Sequence, residues 1–224
     1  MTGSVKHELG FGLLQSRTRN RFQDQAYNYV GTGNVWGTAV VPADPALTDV
    51  STNRDERSTE LSAQDVIRWN DLFTTWIGVR HTRLDRESVR TDGSRPIGYS
   101  EGITTPWVAA SFKLQPGLLA YASWGKGVES QVVPNKTSQY RNAGEALRPL
   151  ASRQWEIGLK GGRDALAWQL AYFDIQRPMT NLDACNRLGI TPCQGAYDGS
   201  ARHRGLEASA QWQSGPWRLA GGLT

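Results

Sequence analysis

The sequence contains no run of apolar residues long enough to form a transmembrane helix. Such a helix needs about 20 mainly apolar residues, whereas apolar residues make up 38% of this 224-residue chain and are dispersed along it. The mean hydropathy of −0.51 resembles that of a soluble protein. Transmembrane β-strands produce equally low values, because only every second residue faces lipid. The composition therefore excludes a transmembrane helix and leaves soluble and β-barrel folds open.

The sequence also lacks the short motifs that mark common enzyme classes. It contains no GxSxG, HExxH or Walker A motif, and no GxGxxG after a strand. Its three histidines, His7, His81 and His203, are far apart and are expected to be isolated exposed or interfacial residues. We therefore predict that the chain is not an enzyme and has no catalytic residue, metal site or resident cofactor.

Only two cysteines are present, Cys185 and Cys193, and they lie close together in a loop-like stretch. In an oxidising compartment, a disulfide between them is the expected state. Two free thiols are the alternative, and a metal site is disfavoured because the only histidine nearby is His203.

The charge pattern gives no sign of nucleic-acid binding. The net charge is +4 and the isoelectric point is about 9.2. The basic residues are spread along the chain, without a Lys/Arg-rich block or an RNA-binding signature. A mildly basic surface is the simpler interpretation.

What the sequence does contain is a series of long segments with alternating polarity. In SRQWEIGLK, Trp155, Ile157 and Leu159 share one face of the predicted strand, while Glu156 and Lys160 lie on the other. Several of these segments have about ten residues or more, against a usual strand length of about five or six. We predict nine strands, at residues 7–19, 58–70, 72–85, 104–114, 118–127, 152–160, 166–175, 203–213 and 217–224.

The connections between these strands alternate between short and long. Short turns are predicted near residues 70–71, 116–117, 161–164 and 214–216, and long loops near 19–58, 86–103, 127–151 and 178–201. In an up-and-down meander, this order places every short turn at one end of the sheet and every long loop at the other. Outer-membrane barrels have short periplasmic turns and long extracellular loops. The pattern therefore favours an apolar face that meets lipid.

The aromatic residues are placed as two membrane-interface belts would require. One group flanks the short turns (Trp69, Phe73, Trp212 and Trp217), and another lies near the long loops (Trp124, Trp155, Tyr172 and Phe173). Two residues do not fit this pattern. Asp65 shares a face with apolar residues unless a bulge reverses it, and Trp107 opposes the apolar residues of its strand. The segment 166–175 is apolar at both parities, so its faces cannot be assigned from the pattern.

Several of these stretches, taken in order, resemble the barrel of TonB-dependent siderophore receptors. They include HELGFGLLQSRTR, YVGTGNVWGTAVVPADP, SAQDVIRWNDLFTTWIGVRHTRLD, TPWVAASFKLQPGLLAYASWGKGVES, YRNAGEALRPLASRQWEIGLK, LAYFDIQRP and HRGLEASA. The resemblance implies an all-β fold, namely an antiparallel up-and-down transmembrane β-barrel that is partial here, with about nine of 22 strands. Residues 1–224 would then form part of the barrel domain. No plug domain, TonB box or signal peptide is recognisable, and we expect a fragment from the middle of the barrel.

The function that the resemblance implies is TonB-dependent import of a ferric siderophore across the outer membrane of a Gram-negative bacterium. The iron would be carried as a chelate rather than held as a cofactor. The expected partners are the ferric siderophore, TonB through an N-terminal segment, and outer-membrane lipid and lipopolysaccharide. Nucleic acid is not expected.

Candidate ligand contacts lie in the long loops, where aromatic and arginine side chains suit an anionic chelate. Packing within the loops, or contact with lipopolysaccharide, is the competing interpretation of these residues. The candidates are Tyr27, Tyr29, Trp36, Tyr140, Arg141 and Arg148.

Two other functional classes remain open from the sequence. A passive diffusion barrel or an adhesin could use the same strand pattern, but the ordered family motifs favour a receptor. A soluble carbohydrate-binding β-sandwich would explain neither the strand lengths nor the sorting of the loops.

Overall fold

The computed structural model describes residues 5–26, 31–38, 46–47, 50–182 and 192–224. Within these residues the chain forms one antiparallel nine-stranded sheet in sequential order, which confirms the predicted all-β, up-and-down arrangement. The strands are β1 (Lys6–Asn20), β2 (Thr52–Arg68), β3 (Phe73–Arg90), β4 (Ile97–Gln115), β5 (Leu118–Glu129), β6 (Leu150–Arg163), β7 (Leu166–Thr180), β8 (Tyr197–Ser214) and β9 (Trp217–Leu223).

Among the described residues, no helix is both long enough and apolar enough to cross a membrane.

The strands extend further at the long-loop end of the sheet than the sequence predicted. The largest difference concerns residues 86–103, which were predicted to form a long loop. There β3 continues to Arg90 and β4 begins at Ile97, so the connection has only six residues. Polar residues occupy both faces of these extensions, which hides the alternation of polarity that identifies a strand. The four short turns lie at the predicted end of the sheet.

The pairing register divides the sheet into an apolar face and a polar face. A row of directly paired residues across β1 to β4 illustrates the apolar face: Phe11, Ala63, Val79 and Pro106. Its large side chains have no protein above them, and Phe11 is 80% exposed. Leu206, on β8, is 62% exposed. Monomeric soluble proteins rarely expose a continuous apolar surface of this kind.

Asp65 lies on the apolar face because β2 pairs with both neighbouring strands without a register shift. The bulge considered for this strand is therefore absent. The residue lies close to the short-turn end of β2, and His7 Nδ1 is 2.7 Å from Asp65 Oδ2. A polar pair at the boundary of an apolar belt costs much less than an isolated charge at its centre.

Large rings cover glycines on neighbouring strands. The indole of Trp107 lies over Gly78 on the polar face, where an added Cβ on the glycine would come within 2.5 Å of the ring. This contact explains why Trp107 opposes the apolar residues of its own strand. Phe173 covers Gly205 in the same way. Phe173 therefore faces the polar side rather than the apolar belt predicted for it.

The register also assigns the faces of β7. Leu166, Trp168, Leu170 and Tyr172 pair with apolar-face residues of β6. Tyr172 packs against Trp155, with ring centroids 5.3 Å apart. The alternation that the sequence left undecided is therefore resolved by the partner strand.

Candidate functional site

The connection between β5 and β6 folds back over the polar face at the long-loop end. We call residues 130–149 the capping loop. Its hydrophobic centre consists of Val133, Tyr140, Ala143 and Leu147, and these residues are at most 8% exposed. The sheet itself contributes few fully buried side chains, so this small core is the main packed centre of the described residues.

Hydrogen bonds tie the capping loop to the beginning of β2. Thr52 Oγ1 donates to Asn135 Oδ1 at 3.2 Å, and the Asn135 amide donates to the carbonyl of Val50. Gly144 has a φ of 80° and lies directly against Thr52, so that an added Cβ would be 2.2 Å from Thr52 Oγ1. Only glycine combines this backbone conformation with so close an approach.

The capping loop also docks on the connection between β7 and β8. Asn142 Nδ2 donates to the Gly195 carbonyl, and the Gly195 N–H donates to Asn142 Oδ1, each at 2.8 Å. Tyr140 donates its hydroxyl proton to the Leu182 carbonyl at 3.2 Å. Backbone bonds join Cys193 to Gln139 and Arg141 at 2.8 Å. The two connections thus form one packed unit.

We expect Asn142→Ala to loosen this unit. The substitution leaves the Gly195 N–H and carbonyl without their partner in a buried position, at a cost of about 1–3 kcal/mol per group. Hydrogen–deuterium exchange of the folded protein should show faster exchange of the Arg141 amide. Ser138→Ala, at an exposed position of the same loop, is the control. Equal exchange in both variants would show that the Asn142 bonds do not hold the loop.

A cavity of about 160 Å³ lies beneath the capping loop, against β1 to β4. Arg86 lies in its wall and has several partners: its Nε donates to Glu56, and its Nη1 donates to Ser130 and to Tyr99 Oη, the latter at 3.1 Å. Tyr99 in turn donates to the Leu147 carbonyl at 3.3 Å, which links the wall to the loop. The lining comprises Thr18, Asn20, Arg54, Asp55, Glu56, Arg86, Glu87, Ser88, Ile97, Tyr99, Val132 and Ala146.

Arg54 is the unpaired cation of this cavity. Its Nε is buried and has no hydrogen-bond partner, and its guanidinium forms no ion pair with any described residue. Burial lowers the pKa of Arg54, and the nearby positive charge of Arg86 lowers it further. Burial also acts to lower the pKa of Arg86, but its bonds with Glu56 and Tyr99 raise that pKa overall. The lining also contains the carboxylates Asp55, Glu56 and Glu87, of which Glu56 is paired with Arg86. An anion placed beside Arg54 would meet an unsatisfied donor.

The predicted ligand contacts are distributed unevenly around this site. Arg148 lies in the capping loop, with Nη1 2.9 Å from Glu101 Oε1, and does not line the cavity. The Arg141 Nε donates to the Pro192 carbonyl at 3.1 Å, and Tyr140 is only 1% exposed, so both act in loop packing here. Trp36 is 83% exposed and lines none of the cavities found. Tyr27 and Tyr29 lie outside the described residues.

Cys193 takes part in a disulfide. Cys185, the other cysteine of the sequence, lies outside the described residues. The pairing of the two therefore stays a prediction.

The sequence analysis missed Arg54, Arg86 and Tyr99. All three lie in segments that were assigned to long loops, although each is in a strand. One signal was available. Arg54, Glu56, Ser58 and Glu60 share one parity, so the polar face of β2 could have been extended towards its start. The unpaired state of Arg54 could not have been read from the sequence.

The family comparison identifies the fold family. The family model for the TonB-dependent receptor-like β-barrel matches residues 2–224. The chain belongs to this family. TonB-dependent receptors are transporters of the Gram-negative outer membrane and not enzymes, which confirms the predicted location and the absence of an enzyme function.

Solved receptors share the fold. The ferric preacinetobactin receptor BauA of Acinetobacter baumannii is 26% identical, with a TM-score of 0.56 over 76% of this chain and 25% of BauA. The ferric-catecholate import receptor Fiu of Escherichia coli K12 is 15% identical, with a TM-score of 0.61 over 98% of this chain and 36% of Fiu. The pyoverdine-bound FpvA of Pseudomonas aeruginosa is 22% identical, with a TM-score of 0.58 over 96% of this chain and 29% of FpvA.

This receptor chain therefore spans between a quarter and about a third of the length of these solved receptors. A comparison with curated protein sequences finds no match. In outer-membrane barrels, the apolar outer face meets lipid, the short turns are periplasmic and the long loops are extracellular. We therefore expect the apolar face of this sheet to meet lipid, its short turns to be periplasmic and its long connections to be extracellular.

Proposed function

We propose that the chain belongs to a receptor that imports a ferric siderophore across the outer membrane in a TonB-dependent manner. The family assignment supports outer-membrane transport. The solved relatives are described as receptors for ferric preacinetobactin and ferric catecholates and as a pyoverdine complex, which supports a ferric chelate as the substrate. Iron is then cargo within the chelate, and the protein needs no resident cofactor.

We further propose that the nine strands form one arc of the barrel wall. In the described sheet, β1 and β9 each have one unpaired edge. Unpaired backbone groups are very costly in hydrocarbon, so both edges must meet further strands of a closed barrel. On this arrangement residues 1–224 belong to the barrel domain, another part of the receptor supplies the plug, and outer-membrane lipid surrounds the apolar face.

The observation that carries the substrate proposal is the unpaired Arg54 on the interior side of the extracellular mouth. Ferric chelates are often anionic, because the oxygens that bind iron are deprotonated. A cavity of about 160 Å³ accepts one anionic group of such a molecule rather than the whole chelate. The capping loop covers this cavity, so the loop must move away before the chelate can contact Arg54.

We expect Arg54→Ala in the full receptor to weaken binding of its anionic ferric siderophore about tenfold. A hydrogen bond to a charged group contributes roughly 1.5–3 kcal/mol, and 1.4 kcal/mol corresponds to a factor of ten. Binding to the purified receptor can be followed by quenching of tryptophan fluorescence. Arg54→Lys should retain part of the affinity, because the positive charge remains.

Arg163→Ala is the matched control, since this arginine lies at a periplasmic turn with its side chain 93% exposed. It should bind the chelate like the unmodified receptor. If Arg54→Ala also binds normally, Arg54 is not a ligand contact. If no ferric siderophore binds the unmodified receptor, the substrate proposal itself is wrong.

A further inference from the structure

One row of residues on the polar face of the sheet binds both ends of the capping loop. Glu56 of β2, Arg86 of β3 and Tyr99 of β4 lie side by side in the pairing register. The Arg86 guanidinium donates to Ser130, the first residue of the loop. Tyr99 Oη donates to the Leu147 carbonyl, close to the other end of the loop, at 3.3 Å. We call Glu56, Arg86 and Tyr99 the clasp.

The members of the clasp also hold one another. Arg86 Nε donates to Glu56, and Arg86 Nη1 donates to Tyr99 Oη at 3.1 Å in addition to Ser130. The Arg86 side chain is only 18% exposed. Bonds from a charged guanidinium are roughly twice as strong as bonds between neutral groups. Because β2, β3 and β4 pair here without a register shift, the clasp is a fixed point on the sheet.

The capping loop is folded upon itself between its two ends. The Val133 N–H donates to the Glu145 carbonyl, and the Leu147 N–H donates to the Gln131 carbonyl, each at 2.9 Å. The hydrophobic centre described above consists of residues of this loop. A segment held together by its own contacts moves as one body, and a few residues at its ends absorb the movement. Both ends of this loop are bound by the clasp.

Further contacts of the capping loop lie at its tip or bind one end only. The tip is bonded to the beginning of β2 and to the connections between β3 and β4 and between β7 and β8. Arg148 forms an ion pair with Glu101, but the Arg148 side chain is 76% exposed, and exposed pairs contribute little. Tyr197 Oη donates to the carbonyl of Glu129, just before the loop, at 3.3 Å. The clasp differs from these contacts because it binds both ends at once.

From these contacts we infer that Arg86 and Tyr99 are positioning residues, which set how often the capping loop uncovers the cavity beside Arg54. The loop moves away as a unit once its ends are released from the clasp. Entry and exit of a chelate both need the uncovered state, so the clasp limits the two rates by the same factor. The inference rests on the proposed function, in which the chelate contacts Arg54, but its test needs no siderophore.

The test measures how fast a thiol inside the cavity reacts. Ser88 lines the cavity and is 8% exposed, so Ser88→Cys in the full receptor places a thiol beneath the capping loop. The probe is a small water-soluble methanethiosulfonate reagent, and mass spectrometry follows the labelled fraction over time. The receptor without this substitution gives the background. Tyr99→Phe then removes the bond to Leu147 and keeps every charge, whereas Ser130→Ala releases the other end of the loop and does not line the cavity.

We expect Tyr99→Phe and Ser130→Ala each to accelerate labelling of the Ser88→Cys receptor about tenfold, because each removes a bond between the clasp and one end of the loop. Tyr197→Phe is the matched control, since it removes a hydroxyl bond beside the loop without touching the clasp. It should change labelling much less. Ser111→Cys places a second thiol at an equally buried position of the polar face, near the short-turn end of β4, and its labelling should not respond.

Each alternative outcome overturns the inference. Labelling of the Ser88→Cys receptor that either substitution leaves unchanged would show that the clasp does not hold the loop. Labelling as fast as that of the exposed Ser138→Cys would show that the cavity is not covered. Equal acceleration by Tyr197→Phe would show that any bond near the loop has this effect, and equal acceleration at Ser111→Cys would show a general loosening of the barrel.

Folding of every variant is checked by the migration of unheated samples in gel electrophoresis, which should be unchanged. None of the labelling results depends on siderophore binding. Failure of this inference therefore leaves the transport proposal intact, and failure of the transport proposal leaves the labelling result interpretable.

Discussion

Deleting TonB from an iron-starved host should abolish ferric siderophore uptake through the receptor that contains this chain, while siderophore binding at the cell surface persists. In the transport proposed above, another part of the receptor supplies the plug that closes the barrel interior, and TonB provides the energy that moves the chelate past it. The capping loop closes over the polar face at the extracellular mouth, and its hydrophobic centre includes Val133 and Tyr140, which are at most 1% exposed. This loop lies on the extracellular side of the cavity, so it restricts exit to the outside, and on the proposal above the plug closes the route to the periplasm.

The measurement is accumulation of radioactive iron, supplied as the ferric siderophore, in cells with and without TonB. Returning TonB on a plasmid should restore uptake, and cells without the receptor give the background. Uptake that continues without TonB would favour a passive diffusion barrel. Surface binding without uptake in cells that contain TonB would favour an adhesin. Either result would replace the transport mechanism proposed above.

Placing an arginine on the lipid-facing side of β5 should strongly destabilise the barrel, whereas the same residue one position further along should not. Ala122 pairs with Ala110 and Ile157 on the apolar face. Ser123 faces the interior and lies directly opposite Glu156. The cost of arginine near the middle of a bilayer is about 2–4 kcal/mol on the lipid face of a barrel. In the wet interior, Ser123→Arg gains a carboxylate neighbour.

The two variants are matched, because both replace a small residue by arginine at nearly the same depth. Reversible unfolding of the full receptor in lipid vesicles by guanidinium chloride should show the loss of stability for Ala122→Arg only. Equal loss in both variants would indicate that crowding, rather than lipid exposure, sets the cost. A larger loss for Ser123→Arg would reverse the assignment of the two faces.

The membrane face of this sheet was largely predictable from sequence, since a strand alternates its side chains with a period of two. Trp155, Ile157 and Leu159 share a face in the sequence pattern and in the structure. Prediction was poorer where both faces of a strand are polar. The segment 86–103 belongs mostly to β3 and β4, yet it was interpreted as a loop, because water on both sides removes the apolar signal.

The candidate site was much less predictable. Arg148 was selected as a loop arginine, and in the structure it forms an ion pair with Glu101; its role as a ligand contact stays a prediction. Tyr140 was selected for the same reason, but its ring is buried in the loop core. Exposure of a loop residue depends on how the loop folds back on the sheet. Composition alone does not contain that information.

The sequence by itself determined the all-β class, the nine strands and the end of the sheet at which the short turns lie, because these follow from local alternation and turn residues. Only the tertiary structure decided which charges meet. Arg54 remains unpaired while Arg86 binds Glu56, Ser130 and Tyr99. Arg17 lies directly opposite Arg57 on the apolar-face side of β1 and β2. Such encounters depend on the pairing register and on loop docking, which bring together residues that are far apart along the chain.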